Sequence, residues 1–377
     1  MRDMQGWKLR RELRRLARQL HGALTSPLEA VVRARRSRAV LFGSERSTIL
    51  GGTKVAIFVL YQPGGVPESV FATVGYLASA GYGVIAVSNA PLGDVDRERL
   101  KAVTVDVVER PNFGYDFGAY QEVILSLQDR IEHIEALLLM NDSVWFPFLQ
   151  DGVSIRAVEE LPLDVVAAQI FGERLLATGR SPRSYPILGS YFLLFRKPAL
   201  AHPVFLDFWR AYRMSSNKDK TVRRGERELS RRLQDAGLAC GGLLSDRQFE
   251  ETLRSLSGER LRQAVEELVC LSSAAERSRS DLLCATGDVG EQMRALLLDV
   301  SATKNVLGSS PLVCLEVMRA GFIKKNNDML YRLARQRIAD ALEQGRLADA
   351  NPIMARELLE RAALDRGKPE LAAAVPA

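Results

Sequence analysis

The sequence is poor in cysteine and histidine, which argues against a zinc site or a disulfide framework. Its 377 residues contain four cysteines and three histidines. The cysteines stand far apart, without a CxxC pair and without a neighbouring histidine, at Cys240, Cys270, Cys284 and Cys314. Zinc sites and disulfide scaffolds have characteristic close spacings, so we expect neither here.

Long apolar runs are also missing. No stretch of about 18 consecutive apolar residues occurs, which is the length that a membrane-spanning helix needs. Charged residues stand near the N-terminus, where a signal peptide would carry its apolar region. We therefore expect a cytoplasmic protein whose thiols are reduced.

Positive charge is concentrated in the first segment. The formal net charge is +6, yet residues 1–50 alone hold twelve Lys and Arg against four Asp and Glu. A protein that docks on nucleic acid needs a basic face on the docking domain. Because the rest of the chain carries a slight acidic excess, we do not expect nucleic acid as a partner.

Residues 4–24 have the pattern of an amphipathic basic helix. Apolar residues recur every three or four positions from Trp7 to Leu24, and arginines fall mostly on the other side. One interpretation is that residues 1–24 contact an anionic membrane surface, peripherally at the inner face of the plasma membrane. The other is a helix packed on the body or on a partner, and the pattern alone leaves both open.

Short apolar runs dominate the middle of the chain and alternate with helical segments. The runs that we predict as strands are 55–61, 83–89, 103–108, 136–142, 164–170 and 189–196. Runs that are apolar on both faces predict an α/β fold, with a mostly parallel sheet and helices on both faces. A helix follows whose aromatic residues share one face and are expected in the core: Phe205, Phe208, Trp209 and Tyr212.

The pattern divides the chain into three parts. We expect a basic helical segment over 1–50, a binding and catalytic α/β domain over 51–245, and a helical C-terminal region over 246–377. Ligands of open α/β sheets bind beyond the carboxyl ends of the strands. The residues that follow each predicted strand are therefore the first candidates for a site.

Polar residues stand at these strand ends. The second predicted strand ends in Ser88 and Asn89, and the fourth ends in Asn141, Asp142 and Ser143. The oxygen atoms of Asn141, Asp142 and Ser143 suit a hard divalent cation such as Mg²⁺ or Mn²⁺. The alternative is an Asx turn that simply ends the strand.

The segment RPNFGYDFGAY at 110–120 enters a predicted helix. Its glycines allow close backbone approach, the helix N-terminus favours an anion, and Arg110 can pair with phosphate. Asp116 is either part of this site or only a carboxylate that stabilises the first turn of the helix.

Several motifs together resemble one known family. In chain order they are RPNFGYDFGAY at 110–120, LLLMNDSVWFP at 137–147, GSYFLLF at 189–195, GERELSRRLQDAG at 225–237 and GFIKK at 321–325. The order and combination resemble the bacterial rhamnan synthesis F family over roughly residues 54–330. The resemblance implies an A-type glycosyltransferase fold, in which a nucleotide-sugar lies over a parallel sheet.

The resemblance also implies a donor site. Asn141 to Ser143 occupy the place of an aspartate-x-aspartate motif that holds a divalent cation on the donor diphosphate, although Asn141 replaces the first carboxylate. Asp142 is thus our first choice for metal or ribose contact. Together with the strand-end pair Ser88 and Asn89, the expected nucleotide-sugar contacts are Arg110, Asn112, Gly114, Asp116, Asn141, Asp142 and Ser143.

A catalytic base is implied by the segment at 225–237. It resembles a helix start whose acidic residue supplies the base in related sugar transferases; by register that residue is Glu226, with Glu228 next. The alternative is that both merely favour a helix N-terminus and offset nearby arginines. Lys324 and Lys325, in the last motif, lie either near a donor diphosphate or at a solvated helix end.

The expected function is that of a hexosyltransferase similar to rhamnosyltransferases. It would move a deoxyhexose from a nucleotide-sugar to a cell-surface polysaccharide, such as lipopolysaccharide, or to a lipid-linked acceptor, with inversion. The alternative is an inactive transferase-like module that assembles partners. The first hypothesis requires Asn112, Asp116, Asp142 and Glu226 to meet in one cleft.

Overall fold

The computed structural model describes residues 53–181, 183–256 and 258–367. The basic segment 1–50, with the helix predicted over 4–24, lies outside the described residues. Its two interpretations therefore stay predictions.

Ten strands make up the described sheets. They are β1 Lys54–Leu60, β2 Gly83–Ser88, β3 Asp106–Glu109, β4 Ala136–Asn141, β5 Val144–Trp145, β6 Val165–Phe171, β7 Ile187–Leu188, β8 Phe192–Arg196, β9 Cys240–Leu244 and β10 Ile323–Lys324. Eight form one sheet in the order β3-β2-β1-β4-β8-β6-β7, with β9 also paired to β6. The other two, β5 and β10, form an antiparallel ribbon.

The large sheet is mostly parallel. Strands β3, β2, β1 and β4 pair in parallel, as do β6 and β9, while β8 runs antiparallel between β4 and β6. This confirms the predicted fold class. The strand predicted over 103–108 begins too early, because a helix continues to Val103 and β3 starts at Asp106.

Sixteen α-helices surround the sheets in the described ranges. They are α1 Glu68–Ser79, α2 Asp94–Val103, α3 Tyr115–Ser126, α4 Ile155–Glu159, α5 Glu173–Ala177, α6 Lys197–Ala201, α7 Pro203–Ala211, α8 Lys218–Val222, α9 Glu228–Asp235, α10 Asp246–Ser255, α11 Gly258–Glu266, α12 Ser273–Cys284, α13 Gly290–Lys304, α14 Val306–Ser309, α15 Met329–Glu343 and α16 Pro352–Arg366. A short π-helical turn, Arg223–Arg227, joins α8 to α9. Among these described helices, none combines the length and apolar character needed to cross a bilayer.

Helices cover both faces of the sheet. Alternating side chains of β1 point to opposite sides, with Phe58 in one core and Ile57 in the other. The first core includes α1 and the helices from α10 to α13, whereas the second includes α3, α7 and α9. The aromatic face predicted for the core is confirmed, since Phe205, Phe208 and Trp209 are buried.

The last two helices pack on the ribbon and are joined by a buried ion pair. Arg335 of α15 donates to Oδ2 of Asp365 of α16 through Nη2 at 2.6 Å and through Nε at 3.0 Å. Its third nitrogen, Nη1, donates to the backbone carbonyl of Asn326 at 2.6 Å. The pair therefore fixes the loop that follows β10, which forms part of the cleft described below.

Candidate functional site

A cleft of about 680 Å³ opens at one edge of the large sheet. Parallel strands end at the same edge, and the antiparallel strand β8 begins there. The side chains that these strand ends contribute are Tyr61, Asn141, Phe171, Ser190 and Tyr191. This is the edge at which open α/β sheets bind their ligands.

Five residues chosen from the sequence lie along this one cleft. They come from the segment before α3, from the end of β4 and from the π-helical turn, and are Asn112, Asp116, Asn141, Ser143 and Glu226. Asp142 is turned towards the end of β1, where its Oδ2 accepts hydrogen bonds from the Tyr61 N–H at 2.9 Å and from Gln62 Nε2 at 2.7 Å.

Glycine at two positions shapes the start of α3. Gly114 caps the helix with a φ of 82°, in the left-handed region that favours glycine. A Cβ at Gly118 would lie 2.4 Å from the carbonyl oxygen of Phe113, so the helix can approach that carbonyl only with glycine there. As a result Asp116, in the first turn, reaches the cleft.

Asn141 holds Asp116 in place. Its Nδ2 donates a 2.8 Å hydrogen bond to Oδ2 of Asp116, and its Oδ1 accepts one from Ser143 Oγ at 2.6 Å. Burial, with a further contribution from the charge of Asp142, raises the pKa of Asp116 to about 6. Burial likewise raises the pKa of Asp142. An aspartate at position 141 would add a third carboxylate here, whereas the amide donates to one.

Glu226 is held by the residues that precede β8. Its Oε2 accepts hydrogen bonds from Ser190 Oγ at 2.7 Å and from the Ser190 N–H at 3.3 Å. The π-helical turn that carries Glu226 packs closely on α3, because a Cβ at Gly225 would lie 2.7 Å from Cγ of Phe117. π-helical turns often occur at functional sites, since they redirect a side chain out of regular helical register.

Glu228 lies away from the cleft. Hydrogen bonds from Arg231, together with Arg232, lower the pKa of Glu228 to about 2. The distances are 2.7 Å from Arg231 Nη2 and 2.9 Å from Arg232 Nε, both to Oε1. Glu228 lines a separate surface depression beside Phe208, so the two candidate bases have different surroundings.

Four other residues chosen from the sequence are not among the lining side chains. Arg110 is buried and donates to Glu122 Oε2 at 2.6 Å, to Asn89 Oδ1 at 2.5 Å and to the Phe113 carbonyl at 2.7 Å. The Oγ of Ser88 donates to the Ala90 carbonyl at 2.6 Å. The contacts of Arg110 hold the loop that precedes α3, and this loop ends at Gly114, the residue that caps the helix. Direct contact of these residues with a nucleotide-sugar stays a prediction.

Several lining residues were not chosen from the sequence. In the sequence, Ser190 and Tyr191 look like the beginning of an apolar strand, and Lys218 stands in a polar stretch without a distinguishing pattern.

The sequence left two interpretations for Lys324 and Lys325. Lys324 lies in β10 and Lys325 follows it directly, so the interpretation of these lysines as a solvated helix end is wrong. Lys325 is buried and donates to Ser69 Oγ at 2.9 Å.

The edge of the cleft has two neighbouring carboxylates, and a cation held jointly by Asp142 and a donor diphosphate stays a prediction. In the three described ranges no group of three His, Cys, Asp or Glu side chains could hold a metal ion. The two neighbouring carboxylates, Asp116 and Asp142, each feel the positive charge of a lysine, Lys324 and Lys325 respectively. One oxygen of Asp142 already accepts two hydrogen bonds. Charge at this edge is therefore balanced by ammonium groups.

The comparison with protein families identifies a match that covers part of the site. Residues 84–257 match the family model described as Rhamnan synthesis protein F. The matched part extends from β2 into the segment that follows α10, and it contains Asp116, Asp142 and Glu226. It confirms the resemblance that the first four sequence motifs indicate, whereas the fifth, at 321–325, lies outside the matched residues.

Two individual proteins illustrate the range of similarity. The uncharacterized protein y4gN of Sinorhizobium fredii (strain NBRC 101917 / NGR234) is 29% identical over 360 residues, which are 93% of this chain and 91% of that protein. Among solved structures, the apo structure of the bifunctional glycosyltransferase WbbM is 10% identical. That match covers 48% of this chain and 38% of the WbbM chain, with a TM-score of 0.28, and carries no argument here.

Proposed function

We propose, from the match of residues 84–257 to the rhamnan synthesis F family, that the protein is a glycosyltransferase of polysaccharide synthesis. It transfers a deoxyhexose of the rhamnose type from a nucleotide-sugar to a hydroxyl of a growing cell-surface polysaccharide or a lipid-linked acceptor. The observation that carries the proposal is that Glu226 lines the same cleft as Asp116 and Asn141, although they are far apart in the chain.

The chemistry assigned to Glu226 is that of a general base. An acceptor hydroxyl is a weak nucleophile until a carboxylate takes its proton. Ser190 orients Oε2, while Oε1 accepts no hydrogen bond from the described residues and is free to face the acceptor. A single base opposite a departing diphosphate supports direct displacement with inversion at the anomeric carbon.

The cleft has the size and polarity for a nucleotide-sugar. Its volume of about 680 Å³ lies within the usual range of small-molecule sites. Tyr61, half exposed at the mouth, offers a ring on which a base or sugar can stack. Amide side chains that can read hydroxyl groups line the walls: Asn112, Asn305, Asn326 and Asn327.

The proposal is tested by turnover on a panel of dTDP-, UDP- and GDP-linked sugars, measured as released nucleoside diphosphate. We expect release with at least one 6-deoxyhexose donor when a glycan acceptor is present. Glu226→Gln should lower kcat by about 10²- to 10⁴-fold, as loss of a general base does. Thermal stabilisation by the nucleoside diphosphate should survive in this variant. The matched control is Glu228→Gln, which should change kcat less than about threefold because its side chain lies outside the cleft.

One pattern of results would replace this proposal. If nucleoside diphosphates stabilise the protein, but no donor is turned over and Glu226→Gln changes nothing, the chain is an inactive transferase-like module. Membrane contact through residues 1–24 is a separate part of the proposal. It is tested by co-sedimentation of the full chain with anionic vesicles, which the triple substitution Arg10→Gln, Arg14→Gln and Arg18→Gln should weaken.

A further inference from the structure

The cleft contains an ammonium group that has no acidic partner at salt-bridge distance. Lys324 Nζ lies 3.2 Å from the centroid of the Tyr191 ring, and within the described ranges it makes neither a hydrogen bond nor an ion pair. Burial lowers the pKa of Lys324 to about 7, against the opposing charges of Glu226 and Asp116. An ammonium in such surroundings is poorly solvated, so an anionic ligand would gain by completing its shell.

Two other lysines line the cleft, and they differ from Lys324 in their contacts and exposure: Lys325 is buried and paired, whereas Lys218 is exposed. Lys325 is engaged by Ser69 at 2.9 Å and lies 3.6 Å from Glu357, so it belongs to the packing between β10 and α16. Lys218, the exposed first residue of α8, is near enough for its charge to act on both Asp116 and Lys324. Lys324 and Lys218 thus both line the cleft, and the positive charges of both act on Asp116.

We propose that Lys324, assisted by Lys218, binds the diphosphate of the donor and neutralises the leaving group at the place where the sequence predicts a divalent cation. This inference rests on the proposed function. Its basis is that two ammonium groups, those of Lys324 and Lys218, line the cleft beside Asp116, where the described residues form no three-ligand metal site. A fixed cation at the point where negative charge develops stabilises the transition state.

The transfer step forms one bond and breaks one bond at the anomeric carbon. A lone pair of the acceptor oxygen forms the new bond to the anomeric carbon, and the proton of that hydroxyl passes to Glu226. The bond between the anomeric carbon and the diphosphate oxygen breaks, and its electron pair stays on that oxygen. The diphosphate gains one negative charge, which the Lys324 ammonium faces, so charge separation in the cleft is limited.

The experiment compares dTDP, UDP and GDP with their monophosphates by titration calorimetry of the full chain in EDTA. We expect at least one diphosphate to bind about 10- to 100-fold more tightly than its monophosphate, as charge-assisted hydrogen bonds allow. Lys324→Met should abolish this preference, whereas Lys324→Arg should keep most of it. The control is Lys101→Met, which removes a lysine on α2 that pairs with Glu98 at the surface and should leave the preference unchanged.

Two results would overturn the inference. The first is a Lys324→Met variant that binds diphosphates as tightly as the wild type. The second is a diphosphate preference that is absent in EDTA and appears with Mn²⁺ or Mg²⁺, because it would assign the diphosphate to a metal.

The same data separate this inference from the proposed function. If the wild type turns over a donor and Lys324→Met retains full diphosphate binding, transfer stands and the role of Lys324 is refuted. If the wild type binds none of the nucleotides and turns over no donor, both are refuted.

Discussion

The Oγ of Ser190 donates a 2.7 Å hydrogen bond to Oε2 of Glu226. The two residues lie on different elements, one just before β8 and the other in the π-helical turn. The backbone N–H of Ser190 donates to the same oxygen at 3.3 Å. One carboxylate oxygen is therefore fixed, which orients the other towards the cleft.

Removing this hydroxyl should affect catalysis more than binding. We expect Ser190→Ala to lower kcat by about tenfold, the equivalent of one hydrogen bond to a charged group, with KM nearly unchanged. Steady-state kinetics on the active donor measure both. In the Glu226→Gln background, Ser190→Ala should lower kcat little further, because Ser190 acts on kcat through Glu226. Full additivity would contradict the assigned positioning role.

The close packing of Gly225 predicts a second effect. A Cβ at this position would meet the Phe117 ring at 2.7 Å, so we expect Gly225→Ala to destabilise the fold by about 1–3 kcal/mol and to displace Glu226. Denaturant unfolding and kcat measure the two consequences. The matched control is Gly75→Ala in α1, where a Cβ would meet no heavy atom within 4 Å. It should be neutral or stabilising by up to about 1 kcal/mol, and equal losses in both variants would argue against the packing explanation.

The environment of Asp116 predicts a dependence of stability on pH. Burial raises the pKa of Asp116 to about 6, above its ordinary value of 3.8. At a pH between these two values, Asp116 is therefore protonated in the folded state and ionised in the unfolded state. The contribution of Asp116 to stability should therefore fall as pH rises from about 4 to 6. Asp116→Asn removes this loss while keeping an acceptor for Asn141. The melting temperature of the variant, relative to that of the wild type, should rise as pH increases across this interval. A constant difference between the two melting temperatures would contradict the prediction.

The cysteines should react with alkylating agents to very different extents. Burial raises the pKa of Cys240 to about 12 and that of Cys270 to about 11, and it raises the pKa of buried Cys314 further. Cys284 is exposed. Since the thiolate is the reactive form, brief treatment with iodoacetamide at neutral pH should modify Cys284 first. Peptide mass spectrometry should find almost no modification in Cys284→Ser under the same conditions.

The buried ion pair between the last helices should be sensitive to loss of one partner. Asp365→Ala leaves the Arg335 guanidinium buried without its carboxylate, which should cost about 3–5 kcal/mol. The control is Asp340→Asn, whose partner Arg366 is about half exposed; this should cost less than about 1 kcal/mol. Urea denaturation measures both. Similar losses would show that the pair contributes no more than a surface contact.

The strands could be predicted because burial of both faces of a parallel sheet requires continuous apolar runs. The predicted runs at 136–142 and 164–170 differ from β4 and β6 by one residue at most at each end. Strand ends of this fold also fix one edge for ligands, so the common location of Asp116 and Asn141 followed from topology alone.

The side-chain pairings could not be predicted, because they join residues far apart in the sequence. The residues around Arg110 in the sequence do not indicate that its guanidinium donates to Glu122, which lies in the middle of α3. The contact of Asn141 with Asp116 is also long-range. The sequence suggested that Asn141 replaces a metal-binding carboxylate, whereas in the structure its amide donates a hydrogen bond to Asp116. Likewise, a helical pattern does not reveal that Glu226 lies in a π-helical turn while Glu228 begins α9.

The contact of Arg335 with the Asn326 carbonyl has a consequence for biosynthesis. Asp116, Asp142 and Glu226 are all translated long before α16, yet the Asn326 loop beside them is secured through Arg335 by Asp365 of that helix. A nascent chain at the ribosome would thus carry every candidate reactive group while one wall of its pocket was still unsupported. The cleft should therefore acquire its complete wall only after α16 has been synthesised and has packed on α15.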